Sequence, residues 1–211
     1  MEDKPKTLLF GGSFNPITTA HLLCARFALE ENGFTSVQFI PCGDAPHKKN
    51  LENWTHRSEM VKLACENHCK GSCFDKGISW SNIEGIWAED GKKSYSINTY
   101  RYFKTMWPDH DYYWMIGGDC TSELHKWHNF SSIKNEMKFA IVNRKGFEET
   151  AKTDIIIDGI DAIFLTAPLF EISSTMVRER VAASKPIDLL VPDSVNGYIS
   201  KNGLYVKPRS E

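Results

Sequence analysis

Short apolar runs alternate with amphipathic stretches along this chain, and the two patterns predict different elements. The run Thr7-Leu8-Leu9-Phe10 predicts a strand. Ala20–Glu31 follows with Leu22, Leu23, Phe27 and Ala28 on one helical face and Gly33 beyond its end, which predicts a helix. Val37–Pro41 reads as the next strand, followed by a polar loop through Asn53. His56–Asn67 predicts a helix with Met60, Val61 and Ala64 inward, and Phe74–Ile86 reads as one or two irregular strands. Ser96–Met106 predicts a helix that Pro108 prevents from continuing. Tyr112–Ile116 reads as a buried strand ending in Gly117-Gly118-Asp119. Lys138–Asn143 and Ala162–Leu165 predict further strands, and Ser174–Ala183 and Ser194–Lys201 further helices.

Strands separated by helices imply right-handed crossovers and a mostly parallel sheet with helices on both faces. Ligands of such α/β sheets bind beyond the carboxyl ends of the strands. The glycines after Phe10, the loop after Pro41 and Gly117-Gly118-Asp119 all fall at those ends. No repeat, low-complexity tract or linker interrupts the pattern, so residues 1–211 read as one domain.

Composition narrows the partners. The net charge of −2 provides no basic field for nucleic acid, so small anions would be held by local groups. No apolar run reaches the length of a membrane span, and Met1–Lys6 lacks the apolar core of a signal peptide, which points to a cytoplasmic protein. The six cysteines then belong to a reducing compartment. Cys65, Cys69 and Cys73, with His68 between them, could present thiolates to zinc, but Gly71 breaks the helix that would align them. Reduced thiols are the favoured reading and no metal site is assigned. Cys24, Cys42 and Cys120 read as small buried hydrophobes.

Two stretches carry chemistry. Gly11-Gly12-Ser13-Phe14-Asn15-Pro16 leads from a strand into a helix that carries Thr18 and His21 on one face. Backbone N–H groups at such a turn and helix start suit a phosphate, with the imidazole over the same spot. The lysine of a P-loop and the third glycine of a dinucleotide fingerprint are both missing, and Asn15-Pro16 could simply turn the chain. Near the other end, Ile172-Ser173-Ser174-Thr175 opens a helix with Arg178 one turn on. These hydroxyls could serve only as caps, but they also suit an anion that Arg178 reaches. Two such helix starts in one α/β domain suggest a polyphosphate held at both ends.

At these residues the chain resembles the nicotinate/nicotinamide mononucleotide adenylyltransferases of the nucleotidyltransferase superfamily with the His/Thr-x-Gly-His motif. The similarity rests on Gly12-Ser13-Phe14-Asn15-Pro16 with Thr18-x-x-His21, and on Ile172-Ser173-Ser174-Thr175-x-x-Arg178. It continues through Ile40-Pro41 with Pro46-His47-Lys48, His56-Arg57-x-x-Met60, Ser94-Tyr95-Ser96-Ile97-x-Thr99, Gly117-x-Asp119, Trp127-His128 and Gly203-Leu204-Tyr205. Ala20 stands where the motif has glycine, and Thr18 replaces its first histidine, leaving a single imidazole.

The resemblance implies a Rossmann-like, doubly wound fold and adenylyl transfer from ATP to a pyridine mononucleotide, with Mg²⁺ accompanying the triphosphate. It places His21 and Thr18 at the α-phosphoryl group, with Lys48 and Arg178 on the phosphates. ATP would lie along Gly12, Ser13, Phe14, Gly117, Asp119 and Ile172–Thr175. The mononucleotide would meet Ser13, Phe14, Asn15, Lys48, Tyr95, Ser96 and Thr99, with its ring stacked on Trp127. Rival readings are another adenylyl- or cytidylyltransferase of the superfamily and a nucleotide-binding sensor without turnover. The choice between nicotinate and nicotinamide stays open, with the acid preferred, as does assembly into a homo-oligomer. Nucleic acid and membrane are not expected as partners.

Overall fold

In a computed structural model, which describes residues 4–44, 51–66, 77–142, 159–168 and 170–207, six parallel strands form one sheet in the order β3-β2-β1-β4-β5-β6. The strands are β1 (Lys6–Gly12), β2 (Ser36–Pro41), β3 (Gly77–Trp80), β4 (Asp111–Gly117), β5 (Lys138–Val142) and β6 (Asp161–Leu165). The helices are α1 (Thr19–Glu31), α2 (Trp54–Glu66), α3 (Ile83–Glu89), α4 (Ser96–Met106), α5 (Phe130–Glu136), α6 (Ser174–Ala182) and α7 (Asp193–Asn202). A 3₁₀ segment, Gly118–Lys126, follows β4 directly.

The central strands are buried on both faces, which is why they read as apolar runs rather than alternating ones. Every residue of β2 is buried, as are Tyr112–Ile116 of β4. Alternation still sorts their side chains. Leu8, Val37, Tyr113 and Met115 point to the face covered by α1, α2, α6 and α7, where Ala25, Val61, Val177 and Val195 meet them. Leu9, Ile40, Tyr112, Trp114 and Ile116 point to the other face, beneath α3, α4 and α5, with Ile83, Tyr100 and Ile133. Leu8 and Leu9 are both 0% exposed, a burial worth about 2 kcal/mol for each side chain.

The doubly wound α/β fold is as expected, and the sheet is wholly parallel rather than mostly so among the described residues. Among the described residues of Phe74–Ile86, which start at Gly77, only Gly77–Trp80 is extended, and α3 already begins at Ile83. Seven residues make only about two turns, too few to display a helical period from sequence. The 3₁₀ segment and α5 were not anticipated for the same reason: both are short and mostly polar. Gly11 and Gly12 finish β1 rather than forming the turn, which falls on the residues after them.

Candidate active site

The connections from β1 and β4 leave to opposite faces of the sheet, so a crevice opens between these neighbouring strands at their carboxyl ends. A cavity of about 680 Å³ occupies it, a size suited to a nucleotide-scale ligand. Gly12, Ser13, Phe14, Asn15 and His21 line it from the β1 side. Gly117 and Trp127 line it from the β4 side, Ser96 from α4, and Ile172, Ser173, Ser174, Thr175 and Arg178 from the start of α6.

His21 is held by its own helix. Thr18 is the N-cap of α1 with extended backbone, and its N–H donates to His21 Nδ1 at 2.9 Å; its Oγ1 lies 2.8 Å from the same nitrogen. The ring sits against Phe10 and Phe14, with centroids 5.7 and 5.2 Å away. Because a backbone N–H can only donate, Nδ1 must accept, and Nε2 carries the proton of the neutral ring. Thr18 itself is fully buried and stands behind the imidazole, outside the cavity lining.

The two stretches that the sequence presented separately form one unit. Ser174 Oγ donates to the Pro16 carbonyl at 2.7 Å, and an Arg178 guanidinium N–H donates to the Asn15 carbonyl at 2.7 Å. Arg178 also reaches Thr175 Oγ1 at 3.1 Å, and Ser173 Oγ caps α6 by accepting the Met176 N–H. Asn15 Oδ1 accepts from the Glu52 N–H at 3.3 Å and from the Tyr205 hydroxyl at 3.0 Å. Burial, with the Glu52 charge, pushes the Tyr205 phenol well above its ordinary range.

Sequence reasoning assigned no role to several residues that shape the crevice. Arg57 is 2% exposed and donates to the carbonyls of Ser13 at 2.7 Å, Cys42 at 2.8 Å and Glu52 at 2.9 Å. It ties the loop after β1 to the loop after β2; a lone arginine in a helix gives no sign of this in sequence. Gly11, expected in the phosphate turn, instead lies under the Trp114 indole, where an added Cβ would stand 2.3 Å from a ring carbon. Cys24, Cys42 and Cys120 were read as buried, but each is partly exposed and lines the cavity. They face the crevice because β2 and β4 end at it and α1 begins at it.

Toward α4 the cavity meets Ser94, Ser96 and Glu84. Tyr95 is half-buried and stacks on His128 with centroids 3.9 Å apart, beside Trp127. Thr99 is fully buried and donates to Glu84 Oε1 at 2.6 Å. Burial pushes the Glu84 carboxyl upward, against the Thr99 hydrogen bond, the neighbouring Ser94 and Gly43 and the charge of Arg57. Asp119 is exposed on the 3₁₀ segment just past Gly117, outside the cavity lining. Lys48, His68, Cys69 and Cys73 lie outside the described residues. Among the described residues no group of three or more His, Cys, Asp or Glu could hold a metal ion, and no helix is long and apolar enough to cross a membrane.

Residues 9–180 match the family model described as Cytidylyltransferase-like. The nicotinate-nucleotide adenylyltransferase of Bacillus subtilis strain 168 is 34% identical over 200 residues, covering 93% of this chain and 96% of that protein. Among solved structures, the Plasmodium falciparum nicotinic acid mononucleotide adenylyltransferase complexed with NaAD matches with a TM-score of 0.76 at 21% identity, over 95% of this chain and 97% of that one. The same protein complexed with APC matches with a TM-score of 0.74 at 20% identity. At these identities the structural likeness speaks for the fold.

Proposed function

The chain belongs to the nicotinate-nucleotide adenylyltransferases of the cytidylyltransferase-like family, and on that premise we propose that it joins ATP to nicotinate mononucleotide, giving the dinucleotide and pyrophosphate. The observation that carries the reading is His21, with its tautomer set by Thr18, in a cavity built jointly by the β1 loop and the start of α6.

In this reaction a 5′-phosphate oxygen of the mononucleotide attacks the α-phosphorus of ATP. The bond from that phosphorus to the bridging oxygen breaks, and pyrophosphate leaves with the electron pair. The nucleophile is already an oxyanion, so no general base is required. Catalysis then rests on positioning and on charge stabilisation. His21 Nε2–H donates to a non-bridging α-oxygen as charge builds there, and buried Thr18 keeps that nitrogen protonated. The N-terminus of α6, with Ser173, Ser174, Thr175 and Arg178, receives the β- and γ-phosphates. One face of the Arg178 fork is engaged with Asn15, so its phosphate contact comes from the remaining N–H groups. Lys48, which follows β2 in sequence, is the further cation proposed for the phosphates, and Mg²⁺ would supply charge neutralisation of the triphosphate.

The mononucleotide lies toward α4, its ring against Trp127. Backbone N–H groups at the start of α4, near Ser96, favour the negative carboxylate of the acid over the neutral amide. Tyr95 and Thr99 shape this wall from outside the cavity lining, and Asp119 meets a ribose or the adenine. Dinucleotide and pyrophosphate formation, followed side by side with the two mononucleotides and ATP, tests the reading. Faster turnover of the acid supports it; comparable rates remove the preference, and binding without pyrophosphate release would favour a sensor.

A further inference from the structure

Glu84 stands in the first turn of α3, 4% exposed, with its side chain on the cavity wall. Its Oε1 accepts the Thr99 hydroxyl of α4 at 2.6 Å, and the Ser94 side chain and the Gly43 N–H lie close enough to favour its charged form. Gly43 N–H reaches Ser94 Oγ at 3.0 Å, and Ser94 N–H donates to the Asp44 carbonyl at 2.9 Å. The carboxyl's bond to α4 and these Gly43–Ser94–Asp44 bonds beside it together join the loop leaving β2, the turn before α4, and α4 itself. The approach is close by construction: a Cβ on Gly43 would stand 2.1 Å from the Glu84 carbonyl oxygen.

Packing does not ask for a carboxyl here. Ile83 already docks α3 into the apolar cluster on this face, and burying an ionisable group opposes folding unless its bonds compensate. What the carboxyl accomplishes is local: it takes the Thr99 hydroxyl of α4 directly beside the wall that carries Ser94 and Ser96. We propose that Glu84 is a positioning residue for the mononucleotide, fixing the Ser94–Ser96 turn in its receiving shape before the substrate arrives. The proposal rests on the reading of this wall as the pyridine end of the site. A wall ordered in advance spares the ordering cost that binding would otherwise carry.

Glu84→Gln keeps the shape and turns one acceptor into a donor facing Ser94 and the Gly43 N–H. Steady-state kinetics with each substrate varied in turn should show KM for the mononucleotide raised about tenfold or more, with KM for ATP unchanged. Thr99→Val removes a hydrogen bond from the opposite side and should raise the same constant, which keeps the test open even if Glu84→Gln fails to fold. The double variant should be no worse than the more severe single one. An unchanged mononucleotide KM in the folded variants overturns the proposal. So does an equal rise in both constants with a lowered Tm, which would mark a purely structural brace. A wild-type protein that forms no dinucleotide would remove the underlying reading; normal wild-type turnover with unaffected variants removes the role of Glu84 alone.

Discussion

His21 Nδ1 accepts the backbone N–H of Thr18 across one turn of α1, at 2.9 Å. The bond belongs to the helix start itself, so the protonated nitrogen of the neutral imidazole is decided by the main chain. His21→Ala should lower kcat by about 10²–10³, the loss typical of one transition-state donor, with KM for ATP little changed. Thr18→Val leaves the N–H in place and should lose far less. Equal losses in the two variants would show that the hydroxyl, rather than the main chain, sets the ring.

Arg178 has two tasks, and its removal should show both. Arg178→Ala should raise KM for ATP and, through the lost bond to the Asn15 carbonyl, cost about 2 kcal/mol of stability. Chemical denaturation and initial-rate kinetics read the two separately. Weakened ATP binding without destabilisation would mean that the Asn15 contact carries no net energy.

Arg57→Met should be more damaging to stability than any change in the cavity lining. The carbonyls of Ser13, Cys42 and Glu52 would lose their donor together, costing about 3 kcal/mol or more. Thermal unfolding checks this, and a Tm within error of wild type would contradict it.

Gly11→Ala pushes a methyl against the Trp114 indole and should destabilise by about 1–3 kcal/mol. Trp114→Phe removes the ring atoms that clash, so the double variant should recover part of that loss. Strict additivity of the two changes would place the strain elsewhere.

Stability should also carry the signature of Glu84. Burial raises its folded pKa above the ordinary 4.5, so the folded state holds the proton more tightly than the unfolded chain does. That stabilisation is present below the unfolded pKa and is lost as pH rises through the folded one. Glu84→Gln has no such loss, so its Tm relative to wild type should climb between pH 4 and pH 7. A flat difference would mean that Glu84 titrates normally.

Much of the architecture was legible because parallel strands buried on both faces leave apolar runs, and α1 and α4 mark their limits with Gly33 and Pro108. The short pieces were not: α3, α5 and the 3₁₀ segment owe their form to what they pack on. The two anion-binding stretches were visible as separate motifs, but their union was not. Ser174 and Pro16 are linked over 158 positions, and no local pattern announces such a bond. Arg57 and Glu84 were hidden for a related reason, since each derives its role from carbonyls and hydroxyls on other elements.

The Tyr205 hydroxyl on Asn15 spans 190 positions, and Arg178 reaches the same residue over 163. The loop after β1 thus takes its final shape from segments that a ribosome delivers long after it. The sheet from β1 to β4 uses contacts available far earlier. Activity should therefore lag behind secondary structure during synthesis and during refolding from denaturant, appearing only once the most distant contacts close.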